Sequence, residues 1–182
     1  MLEIRWHGRG GQGAVTAAKV LAKAIVKAGK YVQAFPEYGP ERRGAPVKAF
    51  DRIDDKPIVI HSQVYEPDVV VVIDPTLVTA VNVTEGLKNG GVVIVNWQDD
   101  VDKLKKLLGR DDIQLWTVDA SRIAMDELGR EITNMPMLAA VVKALEVVEL
   151  DVVKEAAREF GIPKIEANLK AMDRAYEEVS KR

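Results

Sequence analysis

The chain has 182 residues, of which 47% are hydrophobic and 30% are charged, and its formal net charge is −2. Its length suits one α/β domain spanning residues 1–182, and the near balance of 26 basic against 28 acidic residues argues against a nucleic-acid-binding protein. The absence of cysteine excludes disulfides, a cysteine nucleophile, thiolate zinc sites and cysteine-ligated iron–sulfur clusters on this chain.

Short apolar, β-rich runs alternate with longer helical stretches, as in an α/β fold. The predicted strands are residues 2–6, 31–35, 69–74, 92–96 and 114–119. The predicted helices are residues 14–28, 76–88, 101–108, 121–128, 134–148, 151–160 and 164–180. Because several of the strands are apolar throughout, they are expected to be buried on both faces. The pattern predicts a Rossmann-like domain with a mostly parallel sheet flanked by helices.

One region interrupts this alternation after the second predicted strand. Residues 36–46 contain three prolines and two glycines. The apolar runs 47–53 and 58–61 follow, separated by the turn-forming residues 54–57. We expect these two runs to pair as an inserted β-hairpin.

A glycine-rich segment lies between the first predicted strand and the Ala-rich first helix. Gly8, Gly10 and Gly13 have the G-x-G-x-x-G spacing that lets a backbone approach a pyrophosphate closely. A dinucleotide site also needs an acidic residue about 20 positions later, at the end of the second strand. That strand ends instead in Ala34 and Phe35. The segment can therefore contact an anion or nucleotide, or serve only for close packing.

The second candidate element is the proline-stiffened loop that contains Glu41, Arg42 and Arg43. Adjacent guanidinium groups offer forked donors for phosphate or carboxylate, and the prolines reduce the entropy cost of ordering them. Since the loop follows the second strand, it could face the glycine-rich turn. The simpler alternative is a solvated turn with one surface ion pair to Glu37 or Glu41.

Polar residues at the other strand ends are predicted to be turn or helix-capping residues, since each could satisfy free backbone amides. They are Asp74, Asn96, Asp119 and Ser121.

No signal-peptide pattern and no apolar run long enough to cross a bilayer occurs in the sequence, so a cytoplasmic location is the default expectation. With His7 and His61 as its two histidines, the chain is expected to carry no metal site. No nucleophile–base pair can be assembled from the sequence.

Three segments together resemble the gamma subunits of 2-oxoacid:ferredoxin oxidoreductases, nearest to those of the pyruvate and 2-oxoisovalerate enzymes. They are residues 5–13 (RWHGRGGQG), 35–46 (FPEYGPERRGAP) and 134–138 (NMPML). The similarity spans essentially the whole chain. The glycine-rich turn and the Y-G-P-E-R segment together are much rarer than a lone glycine motif.

The resemblance implies a role in a heterotetrameric enzyme that oxidatively decarboxylates a 2-oxoacid to an acyl-CoA and reduces ferredoxin. It implies thiamine diphosphate and Mg²⁺ between the alpha and beta subunits, and [4Fe–4S] clusters on the beta and delta subunits. The gamma subunit would pack on these partners and help to form the coenzyme A side of the site, without being catalytic alone.

The residues that the resemblance assigns to this contact form the turn and the adjoining loop. They are Gly8, Arg9, Gly10, Gly11, Gln12, Gly13, Tyr38, Glu41, Arg42 and Arg43. Two alternatives stay open: a free-standing NAD(P)-dependent oxidoreductase, and a purely structural subunit whose glycine turn only admits a neighbouring chain.

Overall fold

The computed structural model describes residues 1–37, 39 and 42–182. Its strands are β1 (Leu2–Arg9), β2 (Tyr31–Pro36), β3 (Pro46–Asp54), β4 (Val69–Val72), β5 (Val92–Asn96), β6 (Gln114–Val118) and β7 (Ser180–Lys181). Its helices are α1 (Ala14–Lys27), α2 (Leu77–Ala80), α3 (Val101–Leu108), α4 (Ala120–Leu128), α5 (Asn134–Leu145), α6 (Leu150–Phe160) and α7 (Ile165–Glu178).

The strands form one seven-stranded sheet in the order β2-β3-β1-β4-β5-β6-β7. Strands β1, β4, β5 and β6 run parallel to their neighbours in that series. Strand β3 is antiparallel to both β1 and β2, and β7 is antiparallel to β6. The α/β class and the mostly parallel sheet flanked by helices are confirmed.

Two apolar cores cover the two faces of the sheet. The larger core packs α1 and α4 to α7 against one face, and the smaller core packs α2 and α3 against the other. Helix α5 is apolar except for Asn134 and Lys143 and lies inside the larger core, where Met135 and Met137 are fully buried. The carboxyl ends of the parallel strands therefore meet at one edge of a three-layer domain.

The hairpin prediction was wrong in its pairing. Strand β3 does not pair with residues 58–61, because its two edges are already bonded to β2 and β1. Residues 58–61 have no strand structure. Instead the side-chain amide of Gln33 donates to the carbonyl oxygens of Ile58 (3.3 Å) and Ile60 (2.9 Å). The observed hairpin joins β2 to β3 through residues 37–45.

The helix predicted over residues 76–88 was too long. Helix α2 ends at Ala80, and the Asn82 side chain then accepts a hydrogen bond from the Thr84 amide at 3.3 Å. That local bond turns the backbone away from the helical path. Farther on, Gly86 has a φ of +73° that continues the irregular segment.

Candidate functional site

The glycine-rich segment begins as strand. Gly8 lies inside β1 and pairs with Val47 of β3, so the turn starts only after Arg9. The Gln12 amide donates to the Arg9 carbonyl at 3.0 Å, and Gly11 has a φ of +91°. Gly13 is the N-cap residue of α1 with a φ of +79°, a left-handed conformation that favours glycine. The turn thus connects the end of β1 to the start of α1.

The arginine-bearing loop is bonded directly to this turn. The Gly10 amide donates to the Ala45 carbonyl at 2.9 Å, and the Gly44 amide donates to the Gly10 carbonyl at 3.1 Å. The Ala45 amide in turn donates to the Arg42 carbonyl at 3.0 Å. A Cβ atom at residue 10 would overlap that Arg42 carbonyl oxygen. The space above Gly10 is therefore filled by the chain's own loop.

The other two glycines of the motif also make room for the chain's own residues. A Cβ at Gly13 would lie 2.5 Å from the side-chain nitrogen of Asn134, at the start of α5. A Cβ at Gly8 would lie 3.3 Å from the Cβ of Ala14. The motif thus packs β1, α1, α5 and the loop closely together at the carboxyl edge of the sheet.

A network of polar side chains supports the turn from the end of β4. Gln12 accepts from the Arg9 amide through Oε1 at 2.7 Å, and donates to Asp74 Oδ2 through Nε2 at 2.7 Å. Asp74 Oδ1 accepts from the Thr76 amide at 2.9 Å and from the Thr76 hydroxyl at 2.6 Å. The Arg9 guanidinium lies 3.3 Å from Asp74 Oδ2 and donates to the Gly44 carbonyl at 3.1 Å. This network links the turn, the end of β4 and the loop.

Asp74 is ionised in this setting. Partial burial opposes ionisation, but the hydrogen bonds from Thr76 and Gln12, together with the nearby Arg9 charge, outweigh it. They hold the pKa of Asp74 below its ordinary value. Asp74 was predicted as a turn or helix-capping residue, and its bond from the Thr76 amide fits the turn role, since Thr76 is itself the N-cap residue of α2. Its contacts with Gln12 and Arg9 depend on the order of the strands in the sheet, so no local sequence pattern predicts them.

The N-terminus of α1 carries no side-chain cap from the described residues. The same holds for α2, α5, α6 and α7, whereas Asp100 caps α3, and Asp119 and Asn96 accept from the first amides of α4. First-turn amides and the helix dipole give the start of α1 a positive potential. A shallow cavity of about 340 Å³ borders this end. Its lining residues are Arg9, Gly10, Gly11, Gly13, Ala14, Val15, Thr16 and Val47.

The predicted site residues on the loop fall into two groups. Arg42 and Arg43 are exposed, and the backbone of both lies against Gly10, with which Arg43 forms an isolated β-bridge. Glu37, a predicted partner for them, instead pairs with Lys48 at 3.6 Å. Tyr38 and Glu41 lie outside the described residues. The turn and the part of the loop that carries both arginines are thus adjacent.

A buried Arg–His pair lies on β1 just before the turn. Arg5 Nε donates to His7 Nε2 at 2.9 Å, and the Arg5 guanidinium also donates to the Val83 carbonyl at 3.0 Å. Burial, followed by the charges of Arg5 and Lys48, lowers the pKa of His7 to about 3. His7 is therefore neutral near pH 7 and accepts from Arg5. This role is structural, and no pattern in the sequence indicates it.

Two further observations bear on ligand class. In a dinucleotide fold the second strand lies beside the first, but here the antiparallel β3 separates β2 from β1. The strand order that forms a dinucleotide-binding crevice, with the second strand next to the first, is therefore absent from this sheet.

Across the described ranges, no group of three or more His, Asp or Glu side chains could hold a metal ion. No helix in those ranges is long and apolar enough to span a membrane.

Comparison with known proteins identifies similar chains of nearly the same length. A family model for pyruvate ferredoxin/flavodoxin oxidoreductase matches residues 3–178. The common subunit gamma of the pyruvate/ketoisovalerate oxidoreductases from Thermococcus kodakarensis is 56% identical over 177 residues, covering 97% of this chain and 96% of the relative. Pyruvate synthase subunit PorC from Methanocaldococcus jannaschii is 50% identical over 184 residues, covering 100% and 99%.

A solved structure agrees with these sequence matches. The crystal structure of pyruvate oxidoreductase subunit PORC from Thermotoga maritima matches with a TM-score of 0.87 at 45% identity, covering 99% of this chain and 97% of that chain.

Proposed function

The chain belongs to the pyruvate ferredoxin/flavodoxin oxidoreductase family, and from that premise we propose that it packs on the catalytic subunits and helps to form the coenzyme A side of the active site in an assembled 2-oxoacid oxidoreductase. The resemblance predicted from the three motifs is thereby confirmed at the level of the family. The chain is a gamma subunit of a pyruvate/ketoisovalerate oxidoreductase, and so one component of a multi-subunit enzyme.

In the proposed reaction, the assembled enzyme oxidatively decarboxylates pyruvate or a branched-chain 2-oxoacid to the acyl-CoA and transfers the electrons to ferredoxin. We assign thiamine diphosphate, Mg²⁺ and the [4Fe–4S] clusters to the alpha, beta and delta subunits. The absence of cysteine in this chain supports that division, because such clusters are held by cysteine thiolates. We place the complex in the cytoplasm, and this subunit is not catalytic alone.

The observation that carries the proposal is the direct bonding of the loop that holds Arg42 and Arg43 to Gly10, in the turn that leads into the uncapped start of α1. Helix amides and guanidinium groups are both donors that suit phosphate oxygens. Coenzyme A carries a pyrophosphate and a 3′-phosphate, so it presents several such oxygens. Gly8, Gly10, Gly11 and Gly13, with Arg9 and Gln12, form the support on which these donors are held.

We propose direct phosphate contacts for the two arginines and for the first amides of α1. Both arginine side chains are exposed. They are therefore available to a ligand or to a carboxylate of a partner subunit. Tyr38 and Glu41 belong to the same proposed contact through their place in the motif.

The test uses the assembled enzyme with both arginines replaced, R42A and R43A together. We expect the KM for coenzyme A to rise about tenfold or more, since each lost charge-assisted hydrogen bond is worth roughly 1.5–3 kcal/mol. The KM for the 2-oxoacid and the subunit composition should stay as in the wild type. Arg158, which pairs with Glu166 on the far surface at 2.6 Å, provides the matched control R158A.

The other outcomes discriminate between the alternatives. An unchanged KM for coenzyme A in an intact complex would favour a purely structural subunit. Loss of assembly would assign the arginines to a partner carboxylate. Quenching or enhancement of NADH fluorescence on titration with the isolated chain would favour the NAD(P)-dependent alternative.

A further inference from the structure

Asp74 has more partners than a helix cap requires. It lies beyond the end of β4, and one carboxylate oxygen, Oδ1, already satisfies both the amide and the hydroxyl of Thr76. The other oxygen, Oδ2, accepts from Gln12 Nε2 at 2.7 Å and lies 3.3 Å from Arg9 Nε. Half of the carboxylate is thus directed away from α2 and toward the glycine-rich turn.

These contacts continue as far as the arginine-bearing loop. Thr76 Oγ1, which donates to Asp74, accepts from Arg9 Nη2 at 3.0 Å. The third nitrogen of the same guanidinium, Nη1, donates to the Gly44 carbonyl at 3.1 Å. With its Nε and Nη2 held by Asp74 and Thr76, Arg9 presents Nη1 to the loop in one orientation. Gly44 directly follows Arg43.

We propose that Asp74 is a positioning residue of the coenzyme A contact, which acts through Arg9 and Gln12 to hold the Arg42–Arg43 loop against the turn that leads into α1. The inference rests on the proposed function, because it assigns Asp74 a role in that same site. Asp74 itself touches no ligand. Its carboxylate fixes the position of the loop that carries the arginines, and arginines held in a fixed position bind phosphate more tightly.

The chain offers a matched control in Asp119. It stands at the end of β6 on the same edge, caps α4 by accepting from the Arg122 amide at 3.0 Å, and has no bond to the turn or the loop. Asp74→Asn and Asp119→Asn therefore remove one charge each from comparable positions. Only Asp74→Asn disrupts the contacts of residue 74 with Gln12 and Arg9, which connect the end of β4 to the turn.

The first readout is kinetic, on the assembled enzyme. For D74N we expect a KM for coenzyme A about three- to tenfold above wild type, with kcat and the KM for the 2-oxoacid within about twofold. For D119N we expect all three constants to stay within about twofold of wild type. A general loss of folding would instead lower kcat or the yield of assembled enzyme. A rise in the KM for coenzyme A at constant kcat therefore distinguishes a positioning role from a structural defect.

The second readout is amide hydrogen exchange of the full chain. The amides of Gly10 and Gly44 are bonded across the turn and the loop, and we expect both to exchange about tenfold faster or more in D74N but not in D119N. Should D74N fail to fold, Gln12→Met removes one of the two links to the turn, the Gln12–Asp74 hydrogen bond, without a change of charge. Its effect on the KM for coenzyme A and on exchange then decides the matter.

Exchange at Gly10 and Gly44 that stays at the wild-type rate would overturn the positioning role, whatever the kinetics. So would a KM for coenzyme A that rises in R42A/R43A but not in D74N. If neither variant changes this KM while exchange still accelerates in D74N, the proposed coenzyme A contact fails. In that case Asp74 positions the loop for another purpose. The two claims can thus fail separately.

Discussion

The carbonyl oxygen of Arg42 occupies the space that a side chain at Gly10 would need. Two backbone hydrogen bonds, from the Gly10 amide to Ala45 and from the Gly44 amide to Gly10, hold the loop in that position. The second glycine of the motif therefore lets the arginine-bearing loop pack against the turn. A ligand in this region meets a surface made of both segments.

Substitution of Gly10 by alanine tests this relationship. The new Cβ would collide with backbone rather than with a flexible side chain, so the loop must move. We expect G10A to lower the free energy of unfolding by about 1–3 kcal/mol, as overpacking does. Urea denaturation of the full chain measures the change. Gly39, whose added Cβ would meet none of the described residues within 4 Å, supplies the control G39A. Equal stability of the two variants would contradict the packing role.

The buried His7 predicts that acid destabilises the chain. Its pKa in the fold, about 3, lies below the ordinary value of 6.5, so the unfolded chain binds the proton more tightly. Stability from this group is present above pH 6.5 and is lost as the pH falls toward 3. The expected loss is about 2 kcal/mol by pH 5, since each unit of pKa difference is worth about 1.4 kcal/mol.

The variant His7→Gln isolates this contribution, because glutamine can accept from Arg5 but does not titrate. Urea denaturation of both proteins at pH 7.5 and pH 5 should give a wild-type advantage that is smaller at pH 5. A difference in unfolding free energy that is the same at both pH values would show that His7 titrates normally.

Asp51 predicts a pH dependence of the opposite sign. This carboxyl is fully buried in the layer between the sheet and α1, where Oδ2 accepts from Trp6 Nε1 at 2.8 Å and Oδ1 has no described partner. Burial raises the pKa of Asp51 well above its ordinary value, despite the bond from Trp6. The stability that the protonated carboxyl contributes is therefore complete below pH 3.8 and declines as the pH rises.

The variant Asp51→Asn keeps an acceptor for Trp6 and cannot ionise. The wild type should consequently become less stable relative to D51N between pH 4.5 and pH 8, in thermal or urea unfolding. A wild type that gains stability relative to D51N over this range would mean that the carboxylate is ionised and paired in the fold.

Much of the fold could be predicted from the sequence, because local apolar pattern determines it. The uninterrupted apolar run of β4 is buried on both faces, as expected for a central parallel strand. The alanine-rich α1 was also predicted nearly to its ends. Strand order is a long-range property that such patterns do not encode. That is why β3 was assigned to the wrong partner, residues 58–61, and why the short β7 was not predicted.

The same distinction holds at the candidate site. From the sequence, the arginine-bearing loop could face the glycine-rich turn, because it follows the second strand, or could be a solvated turn. The Gly10–Arg42 packing and the double role of Asp74 depend on β3 and β4 flanking β1. No spacing of residues in the sequence predicts either arrangement. The contact between the buried Arg5 and His7 was also not predicted. The alternation of side chains along a strand shows only which residues share a face.

If Arg42 and Arg43 bind phosphate groups of coenzyme A, their removal must weaken the equilibrium binding of coenzyme A to the assembled enzyme. Calorimetric titration of wild-type and R42A/R43A complexes, at low and at physiological ionic strength, gives the Kd without contributions from catalysis. We predict a Kd at least about tenfold weaker in the double variant, and a smaller salt dependence because two charged contacts are lost. An unchanged Kd and salt dependence in an intact R42A/R43A complex would contradict the claim.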